Sequence, residues 1–232
     1  GLFAGYGLTL GDALRRALLS SLPGAAVTEV KIKNVSHEFS TLPGVKEDIV
    51  ELVLNLKKLR FRMHADEPQT LELKKKGEGA VTAGDIAPNS QIGIVNPEEV
   101  IATLTAKDSE LELEIKVEKG LSYSPVESRK EERLPIGTIA IDAYFSPVRQ
   151  VNYVIEDMRV GERTDYNRLR LEIETDGTIS PSAALHKTTN ILKDHFDKVS
   201  AVEVKEAEVQ KAPEVSSEGV PNKKRGRPKK TE

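Results

Sequence analysis

Apolar residues near the start of the chain recur at helical spacing. Leu10, Ala13, Leu14, Ala17 and Leu18 share one face, which Ser21 completes. Thr9 is placed to cap this helix, with Asp12 reaching back from three positions on, and Pro23-Gly24 stops it. A second stripe, Val45, Ile49, Leu52, Val53 and Leu56, predicts a helix over 45–56, with Lys46, Glu47, Asp48 and Glu51 on its wet side. A third begins at Ser180 as N-cap with Pro181 in first position. Leu185, Thr188, Leu192, Phe196 and Val199 follow in steps of three and four, a near-heptad stripe suited to packing on another helix.

Between the outer helices the period changes to two. Val27, Val30 and Ile32 predict a strand over 27–33. Leu111, Leu113, Ile115 and Val117, spaced by charged residues, predict the plainest strand of the chain, over 110–118. Segments 59–64 and 70–74 read as a pair of strands, followed by 136–143, 148–156 and 169–174. Stretches 77–93 and 121–133 are rich in Gly, Pro, Ser and Asn and read as loops. Helices flanking a strand-rich centre predict an α+β body in which an inserted, mostly β domain interrupts a first domain built from the two ends. After Ser200 the apolar period is lost. Residues 201–222 read as a disordered linker, and 223–230 as a basic tail.

Composition narrows the function classes. The 232 residues suffice for one large domain or two modest ones, and a net charge of -3 supplies no global field for nucleic acid. Cysteine is absent, which excludes disulfides, thiolate catalysis and Cys-based zinc sites, and fits a reducing compartment. No apolar run approaches the roughly 18 residues that span a bilayer, and no signal peptide opens the chain, so no membrane partner is expected. The first residue is Gly1, and a fragment or processed form is expected.

Catalytic constellations are hard to find. Gly5-x-Gly7-x-x-x-Gly11 ahead of a helix admits two readings: a phosphate-cradling loop of a nucleotide-binding enzyme, or a turn that lets the helix pack closely. Its spacing is one residue off the dinucleotide fingerprint, and Pro23-Gly24 ends the helix early for a long crossover. His37, His64, His186 and His195 have no metal-ligand spacing, so no metal is expected. Glu47-Asp48 and Glu131-Glu132 are neighbours, and neighbours on a helix point about 100° apart, too divergent for a catalytic pair. The chain contains neither an acidic metal cluster for nucleotidyl transfer nor a GxSxG elbow or Walker loop. Neither catalytic residues nor a cofactor are expected.

Three blocks taken together carry a resemblance. The first is Thr9-Leu10-Gly11-Asp12-Ala13-Leu14-Arg15-Arg16-Ala17-Leu18-Leu19-Ser20-Ser21. The second runs from Glu38-Phe39-Ser40-Thr41 through Gly44-Val45 and Glu47-Asp48-Ile49 to Leu54-Asn55-Leu56-Lys57. The third joins Pro135-Ile136-Gly137 and Ser146-Pro147-Val148 to Arg163-Thr164-Asp165 and Glu174-Thr175-Asp176-Gly177-Thr178-Ile179. In this order, over residues 5–200, they resemble the N-terminal part of the bacterial-type RNA polymerase alpha subunit.

The resemblance implies a cytoplasmic, nucleoid-associated scaffold of a nucleotidyltransferase complex, which homodimerises and holds the beta and beta-prime subunits. The magnesium of that complex belongs to beta-prime. A discontinuous dimerisation domain over 1–23 and 147–200, helices packed on an antiparallel sheet, is implied, with the inserted domain over 24–146. Carried across by motif, Arg16 and Leu19 fall where the family contacts beta. Lys57, Ile141 and Val148 fall where it contacts beta-prime. Leu14, Leu18, Leu185, Leu192 and Phe196 are the expected dimer interface. Adjacent arginines on an amphipathic helix cannot both face its core, and Arg suits interfaces through its planar, weakly hydrated fork. The family also has a strand ahead of the glycine loop, expected to have been lost here by truncation, and a helical DNA-binding C-terminal domain, for which the residues after Ser200 are expected to be too few.

The tail Lys223-Lys224-Arg225-Gly226-Arg227-Pro228-Lys229-Lys230 resembles an AT-hook. In that motif Arg225, Gly226, Arg227 and Pro228 would lie along a narrow A·T-rich minor groove, with the lysines on phosphates. A flexible linker over 201–222 would hold its ends about 25 Å apart, enough to reach nearby duplex. A generic basic tail, and a stand-alone architectural DNA-binding protein, are the competing readings.

Overall fold

The computed structural model describes residues 1–35, 37–129, 135 and 137–202. The first helix, α1 (Tyr6–Ser20), starts earlier than its apolar stripe suggests. Its cap is Gly5 at φ 84°, a left-handed conformation glycine adopts without steric cost, and no side chain caps it. The expected Thr9–Asp12 box is not formed; Thr9 lies inside the helix, 3.5 Å from the Gly5 carbonyl through its hydroxyl. The chain then turns into β1 (Pro23–Ile32), so Pro23-Gly24 opens a strand as well as following a helix end.

The second helix, α2 (Ile49–Leu56), begins four residues later than expected because Asp48 caps it, accepting from the Glu51 N–H at 2.7 Å. The segment before it is fixed instead by Glu47, whose carboxylate accepts from the Thr103 backbone N–H at 2.6 Å and its hydroxyl at 2.9 Å. Then come β2 (Phe61–Met63), β3 (Gln69–Lys76), β4 (Gly79–Thr82), β5 (Ile92–Ile94), β6 (Val100–Leu104), β7 (Glu110–Leu121), β8 (Tyr123–Ser124), β9 (Thr138–Ala140) and β10 (Ala143–Tyr144). The long hairpin β11 (Val148–Val160) and β12 (Arg163–Thr175) leads to α3 (Pro181–Ser200). Ser180 caps α3 as expected, accepting from the Ala183 N–H at 3.3 Å.

The main sheet is antiparallel, in the order β3-β7-β1-β2-β5, with β9 also on β1. The expected pairing of 59–64 with 70–74 does not occur: β2 sits between β1 and β5, and β3 lies along β7. Charge and length favour that arrangement. β7 offers β3 partners from Gln69↔Val117 to Lys76↔Glu110, setting the lysines of 74–76 against the acids of 110–112. Segment 77–93, expected as a loop, contains β4 and the start of β5. Segment 121–133 contains β8, paired with β10. The expected strand over 136–143 breaks at Ile141, whose N–H donates to the Thr28 carbonyl at 2.8 Å.

Apolar packing divides into two main cores. One lies between the sheet and α2, where Val30, Leu52, Leu56, Leu73, Leu111 and Leu113 have at most 1% of their surface exposed. The other joins Leu18, Leu22, Val148, Val151 and Ala184, drawn from both terminal segments. Each leucine fully withdrawn from water contributes about 1.5–3 kcal/mol before the entropy of ordering is subtracted. A small cluster, Ala26, Ala143 and Phe145, lies where the chain passes between the cores.

Candidate partner-binding surfaces

Of the glycines of the opening motif, Gly5 caps α1, and Gly7 and Gly11 lie within it, where their function is in packing. Gly7 and Gly11 are buried against the hairpin. A Cβ on Gly11 would stand 2.9 Å from the Tyr153 ring, and one on Gly7 would stand 3.0 Å from Asn167 Cβ. The Gly5 N–H donates to the Asn167 side-chain oxygen at 2.9 Å. Among the described residues the motif forms a helix cap and a packed helix face, which favours the close-packing reading over a phosphate loop.

With α1 held this way, its two arginines separate. Arg15 Nε donates to the Val151 carbonyl at 3.3 Å, so Arg15 ties the helix to β11. Arg16 is exposed, and among the described residues no hydrogen bond or ion pair engages its guanidinium. Leu19 is half-buried, packed on the second core one turn away. Arg16 and Leu19 therefore form a charged and apolar pair on the rim of α1.

A second polar feature lies at the end of α2. Lys57 is exposed, and its ammonium stands 3.4 Å from Asp142 Oδ2, while Asp142 Oδ1 accepts from the Val126 N–H at 3.0 Å. That N–H, and then the Lys57 charge, hold the Asp142 carboxyl below its ordinary pKa. Ile141 adjoins this pair in sequence but has only 1% of its surface exposed. Val148 lies in the second core and is wholly enclosed. The structure thus brings Lys57 near Ile141 but not near Val148, and neither Ile141 nor Val148 presents a side chain to an outside molecule. The residue sequence reasoning missed at this position is Asp142, a carboxylate flanked by apolar residues.

The expected dimer residues divide in the same way. Leu18 is wholly enclosed within its own chain, which corrects its placement at an interface. Leu14, Leu185 and Leu192 are half-buried, and Phe196 is 64% exposed. Phe3, Tyr6, Leu8, Val199 and Val202 are also more than half exposed. Apolar surface gathered at the start of α1 and the end of α3 in this way marks an interaction site more often than a solvated face. Phe3, Tyr6 and Leu8 were visible in sequence as large apolar residues outside the helical stripe.

By contrast, the outer face of the main sheet is a ladder of paired charges. Lys31 meets Glu114 at 3.2 Å, Lys33 meets Glu112 at 2.8 Å, Lys74 meets Glu112 at 3.2 Å, and Lys116 meets Glu29 at 2.9 Å. Hydrogen bonds from Lys33, then Lys74, lower the Glu112 pKa, and Lys75 lowers that of Asp85. Carboxyls depressed in the fold add stability that is complete above their unfolded values and is lost as pH falls through the folded ones. The urea midpoint is therefore expected to hold at neutral pH and to fall progressively below the ordinary values of 4.5 for Glu112 and 3.8 for Asp85. A midpoint that rose across that acid range would contradict these assignments.

Among the described residues no group of three His, Cys, Asp or Glu side chains could hold a metal ion, and no helix is long and apolar enough to cross a membrane. Glu131-Glu132, Ile136, the linker from 203 onward and the tail residues Arg225, Gly226, Arg227 and Pro228 lie outside the described residues.

Terminal segments that meet in one core, with a β-rich sheet between them in sequence, define an α+β fold class. Residues 30–146 match the family described as "RNA polymerase Rpb3/RpoA insert domain". The chain is 54% identical over 193 residues to the DNA-directed RNA polymerase subunit alpha of Symbiobacterium thermophilum, covering 83% of this chain and 61% of that protein. It is 51% identical to the corresponding subunit of Moorella thermoacetica, with the same coverage, and 52% identical to that of Roseiflexus sp., covering 81% of this chain and 58% of that protein. The chain belongs to the bacterial-type RNA polymerase alpha-subunit family. It spans about three fifths of the length of these relatives.

Proposed function

We propose that the chain is an assembly platform of a DNA-directed RNA polymerase, acting in transcription as a cytoplasmic homodimer. The observation that carries this reading is the division of labour on α1. Arg15 is bound to its own hairpin, while the adjacent Arg16 is exposed beside a half-buried leucine. Arg16 and Leu19 are read as the beta contact. Lys57, with Asp142 beside it, is read as the exposed part of the beta-prime contact, supported from within by Ile141, while Val148 lies apart from it in the second core. Leu14, Leu185, Leu192 and Phe196 are read as the shared dimer surface, backed by Leu18. The two cores support a division into a dimerisation domain over 1–23 and 147–200 and an inserted domain over 24–146. The chain supplies no catalytic group in this reading, and the complex's magnesium is held by beta-prime. The basic tail adds contact with A·T-rich DNA.

Co-expression with beta and beta-prime tests the platform. Arg16→Ala is expected to reduce capture of beta about tenfold or more while the dimer stays intact, as for a central interface arginine. Undiminished capture would contradict the assignment. For the tail, Arg225→Ala with Arg227→Ala is expected to weaken binding to A·T-rich duplex at low salt, and unchanged affinity would remove that part of the reading.

A further inference from the structure

The two crossings between the sheet and the helix–hairpin half lie back to back. A Cβ on Gly24 would sit 1.8 Å from the Phe145 carbonyl oxygen, and one on Gly120 would sit 2.5 Å from the Phe145 ring. Only glycine at both positions allows Phe145 to seat against Ala26 and Ala143, where it is 6% exposed. Across from this plug, the turn joining β12 to α3 is tied to β2 of the sheet. Arg62 donates from Nε to the Thr178 carbonyl at 3.1 Å and from Nη2 to the Gly177 carbonyl at 3.3 Å. Arg60 Nε stands 3.8 Å from Asp176 Oδ2, and the Asp176 side chain is only 8% exposed.

Asp176 also holds the turn in shape. Its Oδ1 accepts from the Thr178 N–H at 3.0 Å and the Thr178 hydroxyl at 2.6 Å. Its own N–H donates to the carbonyl of Pro147, which lies on one of the two crossings, at 3.0 Å. Of the cations lining the cleft of about 420 Å³ between plug and turn, Arg62 is engaged by those carbonyls and Lys119 by Asp66 at 2.7 Å, while Lys187 lines it from α3. Neither Arg62 nor Lys119 is available to a ligand without breaking an existing contact.

We infer that this joint is a rigid coupling, in which Arg60, Arg62 and Asp176 are positioning residues that hold α1 and α3 at one fixed angle to the sheet. The Arg62 fork donates to two carbonyls of the turn while the nearly enclosed Asp176 faces Arg60, and two separate attachments resist both twisting and opening in a way a single contact does not. The use of this rigidity rests on the platform reading. The dimer helices and the Lys57 surface sit in different halves, so a loose joint would let the Lys57 surface wander relative to the dimer axis.

Because the chain has no cysteine, two spin labels can be placed without background. Glu78→Cys on the sheet half and Asn190→Cys on α3 are both exposed positions. With excess unlabelled chain to isolate intrachain pairs, the parent is expected to give one narrow distance distribution. Asp176→Asn combined with Arg62→Gln is expected to widen it about twofold, with the far-ultraviolet circular dichroism unchanged. If that pair fails to fold, Arg62→Lys, which keeps the charge but loses the fork, carries the same test. A distribution as narrow as the parent's overturns the coupling. Failure of the parent chain to capture beta-prime would instead overturn the platform reading and leave the coupling standing.

Discussion

Truncating Leu18 to alanine is expected to lower unfolding stability by about 3–5 kcal/mol, the upper part of the range for buried leucines. Leu18 is wholly enclosed, and its neighbours Leu22, Val148, Val151 and Ala184 come from a turn, a hairpin and another helix. No single element can close over the gap, so the cavity would persist. Domain stabilities are about 5–15 kcal/mol, so the loss removes a large share. Urea unfolding measures it, as a lower midpoint at unchanged slope. A loss under about 1 kcal/mol would mean that the second core repacks freely and is not the junction of the terminal segments described above.

The second large effect concerns association. Replacing Leu192 and Phe196 together with aspartate is expected to raise the dimer dissociation constant on the order of 100-fold, because two apolar contacts are lost and two charges must be desolvated. The side chains differ in burial, half-covered for Leu192 and 64% exposed for Phe196, so the fold itself should tolerate the change at the exposed end. Val50→Asp is the control: it alters an exposed apolar residue on α2, at 41% exposure, outside the proposed interface. Sedimentation equilibrium should show the double variant dissociating while the control stays associated. Equal behaviour of the two would show that the end of α3 is not the shared surface.

Much of the architecture is legible in the sequence because long elements carry periodicity. α3 has its Ser180 cap, Pro181 start and spaced leucines, and β7 alternates over its whole length. Elements of two to five residues, such as β5, β6, β8 and β10, contain too few positions for alternation to stand out. Strand partners were less legible still. β3 and β2 are near in sequence, yet β3 finds its complementary charges on β7. The opening glycines were visible as a pattern whose meaning depended on tertiary contact, since only the positions of Tyr153 and Asn167 distinguish a packing glycine from a phosphate loop. A helical stripe likewise cannot reveal which of its leucines face the chain's own core. Leu14 and Leu18 belong to one stripe, but only Leu18 is wholly enclosed. The candidate partner residues came from motif resemblance. What the geometry adds is their accessibility: Arg16 and Lys57 face outward, and Ile141 and Val148 do not.

Sedimentation velocity of the unaltered chain across micromolar concentrations addresses the account at its root. A species of twice the chain mass, dissociating only on dilution, is the predicted result. A single species of chain mass throughout the range would contradict the shared helical surface, and with it the platform built upon that surface.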